Sequence, residues 1–116
     1  MMWRSRIITE KTNKHMKSTS TKLKFPHPGE IIRSEFLDPL GITQYRLAID
    51  LNIPHSRVTA ILRGNRSITP ETALRLGRYF GTSAEFWIGL QNEYDLRKVR
   101  ASNGAIIAAE VHPLVM

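Results

Sequence analysis

At 116 residues, 41% hydrophobic and 23% charged, the chain is long enough for one soluble globular domain and too short for two large ones. It has no cysteine, which excludes disulfides, thiolate catalysis and Cys-based zinc sites and suits a reducing cytoplasm. Its net charge is +7, and it holds neither a secretory signal nor an apolar run of the roughly 18–20 residues a membrane helix needs.

The charge is concentrated at the N-terminus. Residues 1–24 hold Arg4, Arg6, Lys11, Lys14, Lys17, Lys22 and Lys24 against Glu10 alone. This stretch, rich in Ser, Thr, Lys and Asn, lacks hydrophobic periodicity and is expected to be a disordered basic arm, of the kind that meets nucleic acid phosphates. Met16 is an alternative start, and a chain beginning there carries 3 fewer net positive charges.

Folded structure is expected from Phe25-Pro26-His27-Pro28-Gly29 onward. Pro28 suits a first helical position, and Glu30 suits the positive end of the helix dipole. Ile31, Ile32, Glu35, Phe36 and Leu37 form a stripe at helical spacing, and Asp38-Pro39 is expected to stop it. Thr43 is a good N-cap for a second helix running from Gln44 to Leu51, and Asn52 tolerates the left-handed turn that follows. A third helix spans about Pro54 to Arg63 and ends at Gly64. Thr69-Pro70 opens a fourth, expected to bury Ala73, Leu74, Leu76, Gly77 and Phe80 before Gly81 closes it. Ser83 caps a fifth, with Phe86, Trp87, Leu90 and Tyr94 on its apolar side. Trp87 reads first as core and second as a dimer contact. Ser102-Asn103-Gly104 is a turn signal, and Ala105 to Val111 suits a helix or a strand, limited by Pro113. The expected division is an arm (1–24), a helical domain (25–98) and a short tail (99–116) that is either a lightly docked terminus or a dimer or partner contact. The class is all-α with five short helices.

The specific signal lies between Gln44 and Ile61. A helix-turn-helix needs a small residue where its two helices cross, a turn residue that accepts positive φ, and apolar groups facing the core. Ala48 and Asn52 supply the first two. Leu47, Ile53, Val58 and Ile61 supply the third, at offsets −1, +5, +10 and +13 from Ala48. With those turned inward, the third helix presents His55, Ser56, Arg57, Thr59 and Ala60. The N-terminal part of such a helix meets base edges in the major groove. Arg57 suits a bidentate bond to guanine, and Ala60 and the Thr59 methyl suit a thymine methyl. Arg57 equally suits a phosphate, and Ser56 equally suits a helix cap. Gln44, Arg63, Asn65 and Arg66 flank this face and suit phosphates.

Catalysis is not indicated. His15, His27, His55 and His112 are scattered without metal-ligand spacing, and Glu30, Glu35, Glu71 and Glu85 are expected at helix starts or exposed faces. No Gly-rich phosphate loop is present, and no cofactor or metal is implied.

His27-Pro28-Gly29-Glu30, the segment from Gln44 to Ile61, the run from Gly64 to Ala73, and Phe86-Trp87 with Leu90-Gln91 and Tyr94-Asp95-Leu96 together resemble the HigA-type antitoxins of type II toxin–antitoxin systems, within the Cro/C1-type (lambda-repressor-like) helix-turn-helix family. The resemblance covers about 70 of the 116 residues. It departs at Asn52, where the motif often has glycine, at the basic arm and at the tail. The resemblance implies a cytoplasmic antitoxin that binds double-stranded operator DNA, represses its own operon as a homodimer and neutralises a HigB-type RNA-cleaving toxin. The alternative is a stand-alone Cro/C1-type repressor without a toxin partner. A dimer implies a palindromic operator with half-sites about 34–36 Å apart.

Overall fold

Five helices follow one another in the computed structural model, which describes residues 25–115; the expected basic arm, residues 1–24, lies outside the described residues. Four of the five helices start where a cap side chain accepts an orphan backbone N–H, and the helix that follows Pro54 starts without one. The first, α1, is composite, with an α-helical turn over Pro28–Ile31, a π-helical stretch over Ile32–Leu37 and a closing turn over Asp38–Leu40. His27 caps it, its Nδ1 accepting the Gly29 N–H at 2.9 Å. Helices α2 (Gln44–Leu51), α4 (Pro70–Phe80) and α5 (Ala84–Glu110) begin at Thr43, Thr69 and Ser83, whose hydroxyls accept the N–H of Arg46, Thr72 and Phe86. Helix α3 (His55–Leu62) follows α2 across Asn52, which takes the left-handed conformation with φ 60°.

Two boundaries differ from the sequence expectation. Helix α1 does not stop at Asp38-Pro39 but runs to Leu40, where Gly41 turns the chain with φ 66°. Proline normally crowds the carbonyl four residues back. Here the wider π-helical stretch precedes it, and the Asp38 N–H donates five residues back, to the Arg33 carbonyl. The expected turn at Ser102-Asn103-Gly104 is absent, because α5 runs through it without a break and residues 99–110 continue the helix. Ser102 Oγ donates back to the Lys98 carbonyl at 3.2 Å, a bond that lets serine sit within a helix. The single glycine costs about 1 kcal/mol relative to alanine, and Ala101, Ala105, Ala108 and Ala109 surround it with the strongest helix former.

The core gathers Ile32, Phe36, Leu47, Leu51, Val58, Ile61, Leu62, Ile68, Leu76 and Trp87. Trp87 is fully buried, which assigns it to the core, and its Nε1 donates to Thr82 Oγ1 at 2.7 Å. Phe36 joins it to Phe80, with ring centroids 5.3 Å and 4.5 Å away. Two burial expectations fail. Leu74 is 64% exposed, since the inward line of α4 runs through Ala73, Leu76 and Gly77, and Leu74 stands one residue off that stripe. Glu35 is only 3% exposed, because it shares the inner face of α1 with Ile32 and Phe36; its Oε2 accepts from Ser34 Oγ.

Candidate nucleic-acid interface

The surface that α2 and α3 offer is set by what they bury. Leu47, Ala48, Ile53, Val58 and Ile61 all face the core, and Asn52 makes the exposed turn between the helices. That leaves His55 and Ser56 exposed at the start of α3, with Arg57, Thr59 and Ala60 half-buried along its outer side. Gln44 is exposed at the start of α2, and Arg63, Asn65 and Arg66 are exposed just after α3. The nine residues thus lie on the two helices and the loop that follows them. Two are coupled directly, as Thr59 Oγ1 donates to Gln44 Oε1 at 3.2 Å. Gln44 keeps both amide N–H donors, and Thr59 keeps its methyl and an acceptor lone pair.

Three cations on this surface, like Arg33, Arg78, Lys98 and Arg100 elsewhere, have no carboxylate partner among the described residues. Arg46, Arg75 and Arg97 pair with Asp50, Glu71 and Glu93 one helical turn away. Among the described residues no ion pair engages Arg57, Arg63 or Arg66. Their guanidinium groups face solvent ready for an anion.

Several residues to which the sequence reading gave no role at this surface hold it in place. Arg75 Nη1 donates to the Leu51 carbonyl at 3.0 Å, and Arg33 Nη2 donates to the Leu62 carbonyl at 2.9 Å. Each guanidinium satisfies the C-terminal end of one helix of the pair, where orphan carbonyls and the dipole favour a cation. Gln91, buried on α5, accepts the Ile68 N–H at 2.8 Å and donates to Asp95 at 3.0 Å, tying down the loop that carries Asn65 and Arg66. The Tyr79 hydroxyl donates to Asp50, joining α4 to α2. That bond, helped by Arg46 and opposed by partial burial, holds the Asp50 carboxyl below its usual range, and the same bond raises the Tyr79 phenol. Tyr45, 65% exposed, lies edge-on to His55 with ring centroids 5.9 Å apart. Its legible signal was an aromatic next to Gln44 at a position that core packing does not need.

The N-terminal end of α1 abuts the far end of α3. A Cβ on Gly29 would lie 2.0 Å from the Ile61 carbonyl oxygen, so only glycine permits this approach. His27 is buried against Gly64 and meets Tyr94 edge to face at 4.9 Å. Burial pushes its imidazole pKa below the ordinary value; Asp95 and Glu30 partly oppose this and Lys98 adds to it.

The described residues hold no helix long and apolar enough to cross a membrane and no cluster of three metal-ligating side chains. Residues 34–87 match the Helix-turn-helix family. Virulence-associated protein I of Dichelobacter nodosus is 45% identical over 80 residues, which cover 69% of this chain and 74% of that one. The structure of Pseudomonas aeruginosa PA4674 in complex with its operator DNA matches at 45% identity with a TM-score of 0.77, over 81% of this chain and 99% of that one. Pseudomonas aeruginosa antitoxin HigA with the higBA promoter matches at 46% identity with a TM-score of 0.77, over 79% of this chain and the whole of that one. With its helix pair, its Pro-Gly-Glu start and its aromatic last helix all in place, the chain belongs to the HigA-type antitoxins, non-enzymatic regulators within the Cro/C1-type helix-turn-helix family.

Proposed function

We propose that this protein is a cytoplasmic antitoxin that binds its own operator as a homodimer, represses that operon and neutralises a HigB-type toxin encoded beside it. The observation that carries the DNA reading is the solvent-facing row of Arg57, Arg63 and Arg66, without carboxylate partners, on and just after a helix whose inner side is fully packed. In this reading His55, Ser56, Arg57, Thr59 and Ala60 meet base edges, and Gln44, Arg63, Asn65 and Arg66 hold phosphates on either side. Relatives of the same fold solved on operator and promoter DNA support it. Toxin neutralisation rests on the antitoxin name that one of those relatives carries.

The dimer reading is supported by α5. Beyond the domain core this helix leaves Leu96, Val99, Ile106 and Ile107 about half exposed. An apolar stripe on a projecting helix is stabilised by a partner, and a two-fold pair presents two recognition helices to a palindrome.

The deciding experiment has two arms. The neighbouring reading frame is expressed alone and with this protein, and growth is followed; the purified protein is then titrated against the DNA upstream of its own gene. Growth arrest relieved by this protein, with operator binding, is the expected result. A harmless neighbour, or arrest that is not relieved, leaves a stand-alone repressor. No preference for the upstream DNA removes the operator reading.

A further inference from the structure

Two exposed rings meet at the start of the recognition helix. Tyr45, the second residue of α2, is 65% exposed, and His55, the first residue of α3, is exposed as well. Their centroids lie 5.9 Å apart with the planes at 66°, an edge-to-face arrangement within the range of about 4.5–7 Å that ring quadrupoles favour. In every other ring pair among the described residues at least one partner is buried or half-buried, and packing of the domain accounts for the contact. Packing does not account for this one.

The two rings differ in how firmly their surroundings hold them. Tyr45 stands in a turn that is fixed on both sides. Thr43 Oγ1 accepts the Arg46 N–H at 3.0 Å, Gln44 accepts from Thr59 on α3 at 3.2 Å, and Arg46 is paired with Asp50 at 2.8 Å. His55 opens a helix whose cap, Pro54, makes no side-chain hydrogen bond. Among the described residues no hydrogen bond engages the His55 imidazole or the Tyr45 hydroxyl, so the Tyr45 ring is what restricts the imidazole. A free side chain at an exposed helix start samples several rotamers, and ordering it on binding costs affinity. One held beforehand keeps that affinity, and it offers its donor and acceptor to a base edge from one direction only.

We propose that Tyr45 is a positioning residue for base reading. Its ring holds the His55 imidazole in one orientation at the N-terminal end of α3, the part of a recognition helix that meets base edges. Tyr45 acts through His55, so it sets the preference at the base pair His55 faces and leaves the general attraction to DNA unchanged. The proposal rests on the reading of His55 as a base-contacting residue, and its test separates the two.

The test compares the full chain with Tyr45→Ala, Tyr45→Phe, His55→Ala and the double variant Tyr45→Ala/His55→Ala. Each is titrated against the duplex upstream of the protein's own gene, against a set of duplexes with one base pair substituted at a time, and against a scrambled duplex. Both rings are exposed, so all the variants are expected to melt with the unaltered protein. His55→Ala is expected to flatten the preference at one base pair. Tyr45→Ala weakens the preference at that same base pair by about 2–10-fold, the equivalent of one aromatic contact, with little change on scrambled DNA. Tyr45→Phe keeps the ring and the preference, and the double variant loses no more than His55→Ala alone. Without DNA, the NMR signals of the His55 ring protons, displaced by the Tyr45 ring, return to free-histidine positions in Tyr45→Ala but not in Tyr45→Phe. An unaltered base-pair profile in Tyr45→Ala, where His55→Ala flattens it, overturns the proposal and leaves His55 as a base reader. Equal losses in Tyr45→Phe and Tyr45→Ala also overturn it, because the hydroxyl then meets DNA directly. So does a Tyr45→Ala loss that is equal on every duplex. If His55→Ala changes nothing, His55 is no base reader and the proposal falls with that reading. If the full chain prefers no duplex, the operator reading falls and takes the proposal with it.

Discussion

Arg57 and His27 each turn on one interaction that a single substitution isolates. Arg57 stands half-buried on the outer side of α3, with no ion pair among the described residues to compete for it. If it bonds a base, Arg57→Ala costs about 1–3 kcal/mol on operator DNA and relaxes the preference at one base pair. An equal loss on operator and random DNA would move Arg57 to a phosphate instead. His27 acts on stability. Its neutral Nδ1 accepts the Gly29 N–H, and a protonated imidazole cannot. Its folded pKa lies below the ordinary 6.5, so as pH falls through 6.5 the unfolded chain takes up the proton first. The protein is therefore fully stabilised by this group above 6.5 and loses that stabilisation as pH drops toward the folded pKa, at up to about 1.4 kcal/mol per pH unit. Asparagine is also a good N-cap and does not titrate, so His27→Asn is expected to flatten this part of a pH series of urea melts. A series as steep as that of the unaltered protein would exclude His27 as the source.

At the scale of elements, the packing of α1 on α3 depends on Gly29. Gly29→Ala places a methyl group 2.0 Å from the Ile61 carbonyl oxygen, and the neighbour is backbone that cannot swing aside. The expected cost is about 3 kcal/mol or more, above the usual range for overpacking. Thermal melts measure it, and a change within about 0.5 kcal/mol, the usual size of a surface substitution, would show that α1 does not need this approach. The helices themselves were legible because their signals are local. Thr43, Thr69 and Ser83 cap where an oxygen is needed, and Asn52, Gly64 and Gly81 turn where φ is positive. The outward residues of α3 were legible because inward ones at fixed offsets from Ala48 leave them no other side. What stayed hidden depends on long-range contacts. Arg33 reaches across 29 residues to Leu62, Arg75 across 24 to Leu51, and Gln91 across 23 to Ile68. Nothing in a local window marks such bonds. The helical continuation past Ser102-Asn103-Gly104 was hidden for the opposite reason, since a strong local turn signal yields to the alanines around it.

On the scale of the whole molecule, that continuation gives α5 a surface with a pattern of its own. The molecule measures 52 Å along its long axis and 26 Å along its shortest. Along the outer part of α5, Leu96, Val99, Asn103, Ile106 and Glu110 follow one another at alternating spacings of three and four. This is the spacing that lets two helices interlock; Asn103 and Glu110 are the stripe's polar members, and a polar residue such as Asn103 at an inner position sets register at some cost in stability. A monomer leaves this stripe in water, with Ile106 53% exposed. In the proposed dimer a second copy of the chain covers it and doubles the DNA-reading surface. Ile106→Glu puts a charge into that seam while touching none of the domain core, so the variant is expected to melt as a folded domain and to sediment as a monomer. Joining two binding modules typically strengthens binding by about 10²–10⁴-fold, and operator affinity is expected to fall by a factor in that range. Asn103→Leu is the complementary change, expected to tighten self-association while loosening its register. Sedimentation of both variants at the mass of an unaltered dimer would show that α5 does not carry it, and an unaltered protein that itself sediments as a monomer would remove the dimer reading.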